Sequence, residues 1–236
     1  MNDVTFRIGP GAEITGRIST EPGGTPPPQQ QPGQTPAPTA RPLIILSPLE
    51  GIQGGGQASA TDAGTFAIHG VVPGVYQVQV LQAQPGTYLK SVRSGNQDIT
   101  KTGLDLTSGV GATLDILFSP NPADVSGTLH DSTGAPLAGI TVTLWTPGAP
   151  QSSLFEQPKN SRTDANGAFK ISGLAPGDYR VAAWDMSDLS MIQAPEFRAK
   201  FEGKAVKVKL SENSHETVDV PLIPREATDA AAAELR

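Results

Sequence analysis

The chain predicts an all-β fold: two tandem antiparallel Greek-key β-sandwich modules, with one short helix in the second. Three observations carry this. A motif of the form TDxxGxF…PGxY occurs at residues 61–76 and again at 163–179, with one more residue at the first turn of the second copy. Such a repeat is one small unit duplicated, each copy with its own hairpin and core. The 236 residues include 26 glycines and 22 prolines, and amphipathic helical runs are scarce, which favours short strands joined by tight turns. After each PGxY, apolar and polar residues alternate, so that every second side chain faces one layer.

The first module spans residues 11–119 and the second 120–225, each long enough to bury a small core without staples. Module one opens on Glu13-Ile14-Thr15-Gly16-Arg17-Ile18 and module two on Asp124-Val125-Ser126-Gly127-Thr128-Leu129. The strand-interior glycines Gly16 and Gly127 mark a bulge or a close backbone approach. Second strands follow at residues 43–46 and 140–145, and then the repeated hairpin. Its aspartates, Asp62 and Asp164, accept turn amides, and Phe66, Ile68, Phe169 and Ile171 point inward. Pro73-Gly74 and Pro176-Gly177 make the second turn, because proline presets φ and glycine supplies the turn geometry. Tyr76 and Tyr179 then face the core with the valines that alternate after them. Final strands lie at residues 114–118 and 217–223. The linker Ser119-Pro120-Asn121-Pro122-Ala123 is short and proline-stiffened, so a fairly fixed relative angle is expected between the modules.

Four segments depart from the repeat. Val4-Thr5-Phe6-Arg7-Ile8 alternates like a strand and is followed by Gly9-Pro10-Gly11, much as the last strand of module one is followed by its linker. Residues 1–10 therefore read as the last strand of a preceding module; the other reading is a strand that pairs with module one. Residues 20–42 form a Pro/Gln-rich insertion with little to bury, expected to be disordered or polyproline-like. Within residues 186–203, Pro195, Phe197, Phe201 and Gly203 have the spacing of one short helix docked on the sandwich. The alanine-rich tail, residues 226–236, reads as flexible.

Composition narrows the function. A net charge of −6 argues against a nucleic-acid partner, which needs a basic stripe. Cysteine is absent, so disulfides and thiolate metal sites are excluded. No apolar run is long enough to span a membrane as a helix. His69, His130 and His215 lack a second histidine at metal-ligand spacing, and no His-Glu-x-x-His motif or nucleophile elbow occurs. Asp164-Ala165-Asn166-Gly167 begins like a calcium loop but lacks the closing glutamate. No catalytic, cofactor-binding or metal-binding residue is assigned, and the chain is read as a non-enzyme.

Aromatic residues supply the remaining candidates. Trp145 and Trp184 are out of phase with the core residues of their strands, so both point to the outer face. With Phe197 and Phe201 they form either a face for a sugar ring or partner protein, or a second small core in which the helix covers the indoles.

The stretches Val125-Ser126-Gly127-Thr128 and Gly134-Ala135-Pro136-Leu137-Ala138-Gly139-Ile140-Thr141-Val142, with the TDxxGxFxIxGLxPGxY hairpin, resemble the carboxypeptidase regulatory-like domain. This is a transthyretin-like (prealbumin-like) β-sandwich found in tandem in bacterial envelope proteins. The resemblance covers residues 12–118 and 124–223. Gly86-Thr87-Tyr88-Leu89-Lys90-Ser91-Val92, with Asp98-Ile99-Thr100, resembles acidobacterial-type versions of such arrays. The resemblance implies a structural, adhesion or protein-interaction spacer without catalysis, placed outside the cell, in the periplasm or on the outer surface. The alternative it implies is a carbohydrate-binding accessory module that uses exposed tryptophans of module two. A polysaccharide or a neighbouring envelope protein would then be the partner. Related sandwiches carry Lys–Asn crosslinks; here Arg17 and Thr128 stand where the lysine would be needed. The intact mass is expected to equal the sequence mass, and a deficit of about 17 Da would contradict this.

Overall fold

The computed structural model describes residues 11–23, 41–49, 54–81, 85–148, 157–186 and 189–235. The strand expected at residues 4–8 and most of the Pro/Gln-rich insertion lie outside them. The chain forms two units, one running to Phe118 and the other starting at Ser119, to which the stretch Pro85–Tyr88 also belongs.

The first unit contains β1 (Ala12–Thr20), β2 (Leu43–Pro48), β3 (Gly56–Ser59), β4 (Thr65–Val71), β5 (Val75–Leu81), β6 (Tyr88–Ser94), β7 (Gln97–Asp98), β8 (Leu104–Asp105) and β9 (Ala112–Ser119). They form two sheets, ordered β4-β1-β9-β6-β7 and β3-β2-β5-β8. Period-two alternation gives each sheet one apolar side: Ile14, Phe66, Ile68, Leu114 and Ile116 are buried from one, and Ile44, Leu46, Tyr76 and Val78 from the other.

The second unit repeats the plan with β10 (Ala123–Thr128), β11 (Thr141–Trp145), β12 (Lys159–Arg162), β13 (Ala168–Leu174), β14 (Gly177–Trp184), β15 (Val206–Leu210), β16 (His215–Thr217) and β17 (Leu222–Ile223). Its sheets are β13-β10-β16 and β12-β11-β14-β15, with β17 alongside β14. Val125, Phe169 and Ile171 meet Val142, Leu144, Val181, Ala183 and Val208 in a single core between them. The expected last strand, 217–223, is divided. β16 ends on one sheet and β17 starts on the other, and Pro221 between them has no N–H to give to a ladder.

Each module closes on a parallel pair, β1 with β9 and β10 with β16, where sequence alternation suggested antiparallel sheets throughout. Alternation reports which face a residue takes and carries no information about strand direction. β1 and β10 also pair antiparallel with β4 and β13, and both ladders shift register at the same place. Ala12 faces Val71 while Ile14 faces Ile68; Ala123 faces Leu174 while Val125 faces Ile171. The extra residue belongs to β4 and β13, where Gly70 and Gly173 both have φ of 71°. The glycine of the IxG segment in the repeat is therefore a bulge glycine, in the left-handed region that a β-carbon disfavours.

The PGxY tyrosines do more than fill the core. The Tyr76 hydroxyl donates to the Val72 carbonyl at 2.6 Å, and Tyr179 to that of Ala175 at 2.9 Å. Each phenol thus ties back the turn that precedes its own strand, and burial pushes the Tyr76 hydroxyl pKa up. Tyr179→Phe is expected to cost about 1 kcal/mol, the net worth of one hydrogen bond, measured by chemical unfolding of the second unit.

Outside the second sheet of module two lies another layer. A 3₁₀ helix (Leu189–Gln193) leads into α1 (Pro195–Ala199), with Pro195 at its first turn as expected. The C-terminal segment read as a flexible tail contains α2 (Arg225–Ala233), with Thr228 and Ala231 buried. Thr228 Oγ1 donates to the carbonyls of Asp185 and Arg225, and the Arg225 guanidinium pairs with Asp185 at 3.0 Å. The side chains this helix buries, Thr228 and Ala231, are small, so no stripe of large apolar residues announced it.

Candidate functional site

The four aromatic residues singled out by sequence do meet. Trp184 sits at the centre, its ring centroid 6.1 Å from Trp145, 5.7 Å from Phe197 and 5.3 Å from Phe201 in a T-shaped contact. Both tryptophans leave the sheet on the side away from the main core, as their phase requires. They are nevertheless buried: Trp145 is 2% exposed and Trp184 1%, with Phe197 at 0% and Phe201 at 3%. Ala182, Ile192, Ala205, Ile223 and Ala231 complete the cluster. The alternative built on exposed tryptophans is corrected here, because neither indole offers a face to a sugar ring. The 3₁₀ helix, α1 and α2 cover them, and burying these rings is what holds that layer to the sheet.

Arg198 supports this layer from within. It is 4% exposed, and its Nη1 donates to the Ile192 and Gln193 carbonyls at 2.6 and 2.8 Å, closing the end of the 3₁₀ helix. Burial pushes its pKa down, opposed by Glu196. A depression of about 250 Å³ lies beside it, lined by Trp145, Thr146, Gly148, Pro195, Glu196, Arg198, Ala199 and Glu202. Two carboxylates and one guanidinium already engaged by the backbone leave this hollow without a set of convergent donors.

A second polar group comes from three strands. Asp124, on β10 opposite the bulge of β13, accepts from His215 Nδ1 at 2.7 Å and pairs with Lys170 Nζ at 3.2 Å. His215, read from sequence as isolated, gains this partner across the parallel β10–β16 pair, 91 residues away in the chain. In the first unit His69 lies 3.4 Å from Glu13, again beside the bulge. Burial opposes the Asp124 charge, but hydrogen bonds from His215 and Lys170 outweigh it and hold the carboxyl below its usual value of 3.8. A depressed folded-state pKa contributes stability above the unfolded value that is lost as pH falls through the folded one. The chain is expected to lose stability as pH drops below about 4, and Asp124→Asn to flatten that loss while costing about 2 kcal/mol at neutral pH. Urea midpoints measured across that pH range check both.

The repeated Asp-Gly turns are built differently in the two copies. Asp164 Oδ1 accepts the amides of Asn166 and Ala168 at 2.8 and 2.9 Å. In the first copy, Thr61 takes that place: its Oγ1 accepts the Thr65 amide at 3.2 Å, and the Thr61 and Thr65 backbones pair at 2.8 Å. Asp62 is displaced outward and pairs with Arg41 at 2.9 Å, so the turn role expected of it is corrected to Thr61. Losing one residue shifts the anchor by one position, and both side chains carry an oxygen that can accept. Thr163, the residue before Asp164, is buried. Its hydroxyl donates to the Leu137 carbonyl at 2.6 Å and accepts the Ile140 amide at 2.9 Å, which joins the GAPLAGI loop to the hairpin.

That joined loop and hairpin lie, with the Val-Ser-Gly strand, inside a stretch that matches a known family. Residues 124–222 match the family model of the carboxypeptidase regulatory-like domain. The match lies within the second unit. No curated protein matches the chain. Among solved structures, the minor pilin GBS52 of Streptococcus agalactiae is 15% identical over 90% of this chain and 99% of its own, at a TM-score of 0.38. The shaft pilin SpaA of Lactobacillus rhamnosus GG is 11% identical over 90% and 98%, at 0.30. The TIE protein of Bacillus anthracis is 14% identical over 91% of this chain, at 0.30, and the chain spans 33% of that protein's length. Among the described residues, no three His, Asp or Glu side chains converge as a metal would require. No described helix is long and apolar enough to cross a membrane.

Proposed function

We propose that the chain is a non-catalytic pair of β-sandwich modules that serves as a structural, adhesive or protein-interaction spacer in a bacterial envelope or secreted protein. One observation carries this reading: the motif that defines the repeat is consumed by its own architecture. Asp164 and Thr61 hold turns, Gly70 and Gly173 form bulges, and Tyr76 and Tyr179 clamp the second turn. The matched domain and the first unit share their bulge, parallel closure and tyrosine clamp, which supports reading both as copies of one module.

Placement outside the cytoplasm rests on the family's usual setting. The purified chain is expected to show no turnover of chromogenic ester, glycoside or peptide substrates, and antibodies against it to label intact cells of its source. Turnover abolished by a single change at Asp124, Lys170 or His215 would overturn the reading, as would a purely cytoplasmic distribution.

A further inference from the structure

β15 is the last strand of its sheet: β14 lies on one side, and among the described residues no strand lies on the other. An edge strand leaves N–H and C=O groups unpaired at alternate positions, which is the template for adding a further strand. Along β15, Val208 and Leu210 turn into the core while Lys207 and Lys209 are exposed on the outer face.

The outer face here is unusually basic for a chain of net charge −6. Lys207 stands directly opposite Arg180, a like-charge pairing that costs stability, and Lys209 opposite Asp178. Lys204 follows at the start of the strand, with its ammonium over the Phe201 ring. Among the described residues, none of Arg180, Lys204, Lys207 and Lys209 has a carboxylate within ion-pair distance. Arg180 Nε is buried without a hydrogen-bond partner. Edge lysines keep two copies of a chain from pairing edge to edge. The same charges select a strand of opposite sign, and only a peptide backbone answers the unpaired N–H and C=O groups in register.

We propose that the free edge of β15 takes up an extended segment of a partner protein that carries carboxylates at alternate positions, added as a further strand. Its backbone would pair with β15, and its acidic side chains would lie beside Lys207 and Lys209.

The test uses the full chain and a fluorescently labelled peptide of alternating glutamate and valine, followed by anisotropy and by hydrogen exchange at β15. Saturable binding that slows exchange of residues 206–210 is expected. Lys207→Glu combined with Lys209→Glu should weaken it about tenfold or more, the worth of two exposed ion pairs reversed in sign. Both side chains are exposed, so an unchanged melting temperature verifies folding of the variant; paired glutamine substitutions provide a milder version. The same peptide N-methylated at alternate amides should not bind. Equal binding of the N-methylated peptide would overturn the proposal and leave a charge effect only. So would absence of binding, or self-association of the chain through this edge.

Discussion

Gly127→Ala is expected to destabilise the second unit by about 2–3 kcal/mol. A β-carbon there would stand 2.2 Å from the Val218 carbonyl oxygen and 2.8 and 3.0 Å from two atoms of the Phe169 ring. Gly127 faces Phe169 across the β10–β13 ladder, so the ring lies over the space that the glycine leaves. The carbonyl belongs to the segment held by the Val218 amide on the Ser126 carbonyl at 2.9 Å, and it cannot withdraw without breaking that bond. Overpacking of this kind costs about 1–3 kcal/mol, and the lower entropy of an unfolded alanine chain returns less than about 1 kcal/mol. The backbone contact is the tighter of the two, so adding Phe169→Leu should recover only a minor part. Gly16→Ala should behave alike in the first unit, where the β-carbon would meet the Leu114 carbonyl and Phe66, both at 2.5 Å. Gly203→Ala, with no atom within 4 Å of the added carbon, is the control and should be close to neutral. Urea unfolding of the three variants checks the order.

Trp184→Ala is expected to cost about 3–5 kcal/mol, the range for deleting a large buried aromatic side chain. For a module of about 100 residues each kcal/mol corresponds to roughly 4–8 °C, so the second unit's melting temperature should fall by on the order of 20 °C. Trp184 touches Trp145, Phe197 and Phe201 together, so its removal also loosens α1 from the sheet. Trp184→Phe should cost less, because it keeps an aromatic ring and removes a buried indole N–H that has no partner among the described residues. Scanning calorimetry of both variants measures this. Unchanged melting with lost binding to a polysaccharide would restore the ligand-face reading.

Sequence was most informative where a local rule applied. Alternation along Tyr179, Val181 and Ala183 placed Trp184 on the opposite face, and Phe197 and Phe201 four apart supplied the cover for it. It was least informative where the answer depended on a distant strand. The Asp124–His215–Lys170 group takes one residue from each of β10, β16 and β13, and no spacing along the chain signals that meeting. Strand direction left no trace in the alternation, so the parallel closures went unread. Matching the two turns letter by letter put Asp62 where Thr61 belongs, because a lost residue moves the anchor while preserving the pattern of letters. The helix α2 was missed because the side chains it buries, Thr228 and Ala231, are small and contribute little apolar area.

Both tryptophans of the chain lie in the outer layer of module two, so intrinsic fluorescence reads the central claim directly. The account predicts blue-shifted emission from the native chain, weak quenching by acrylamide and no change on adding soluble polysaccharides. Emission typical of water-exposed indole, quenched readily and displaced by a polysaccharide, would contradict it.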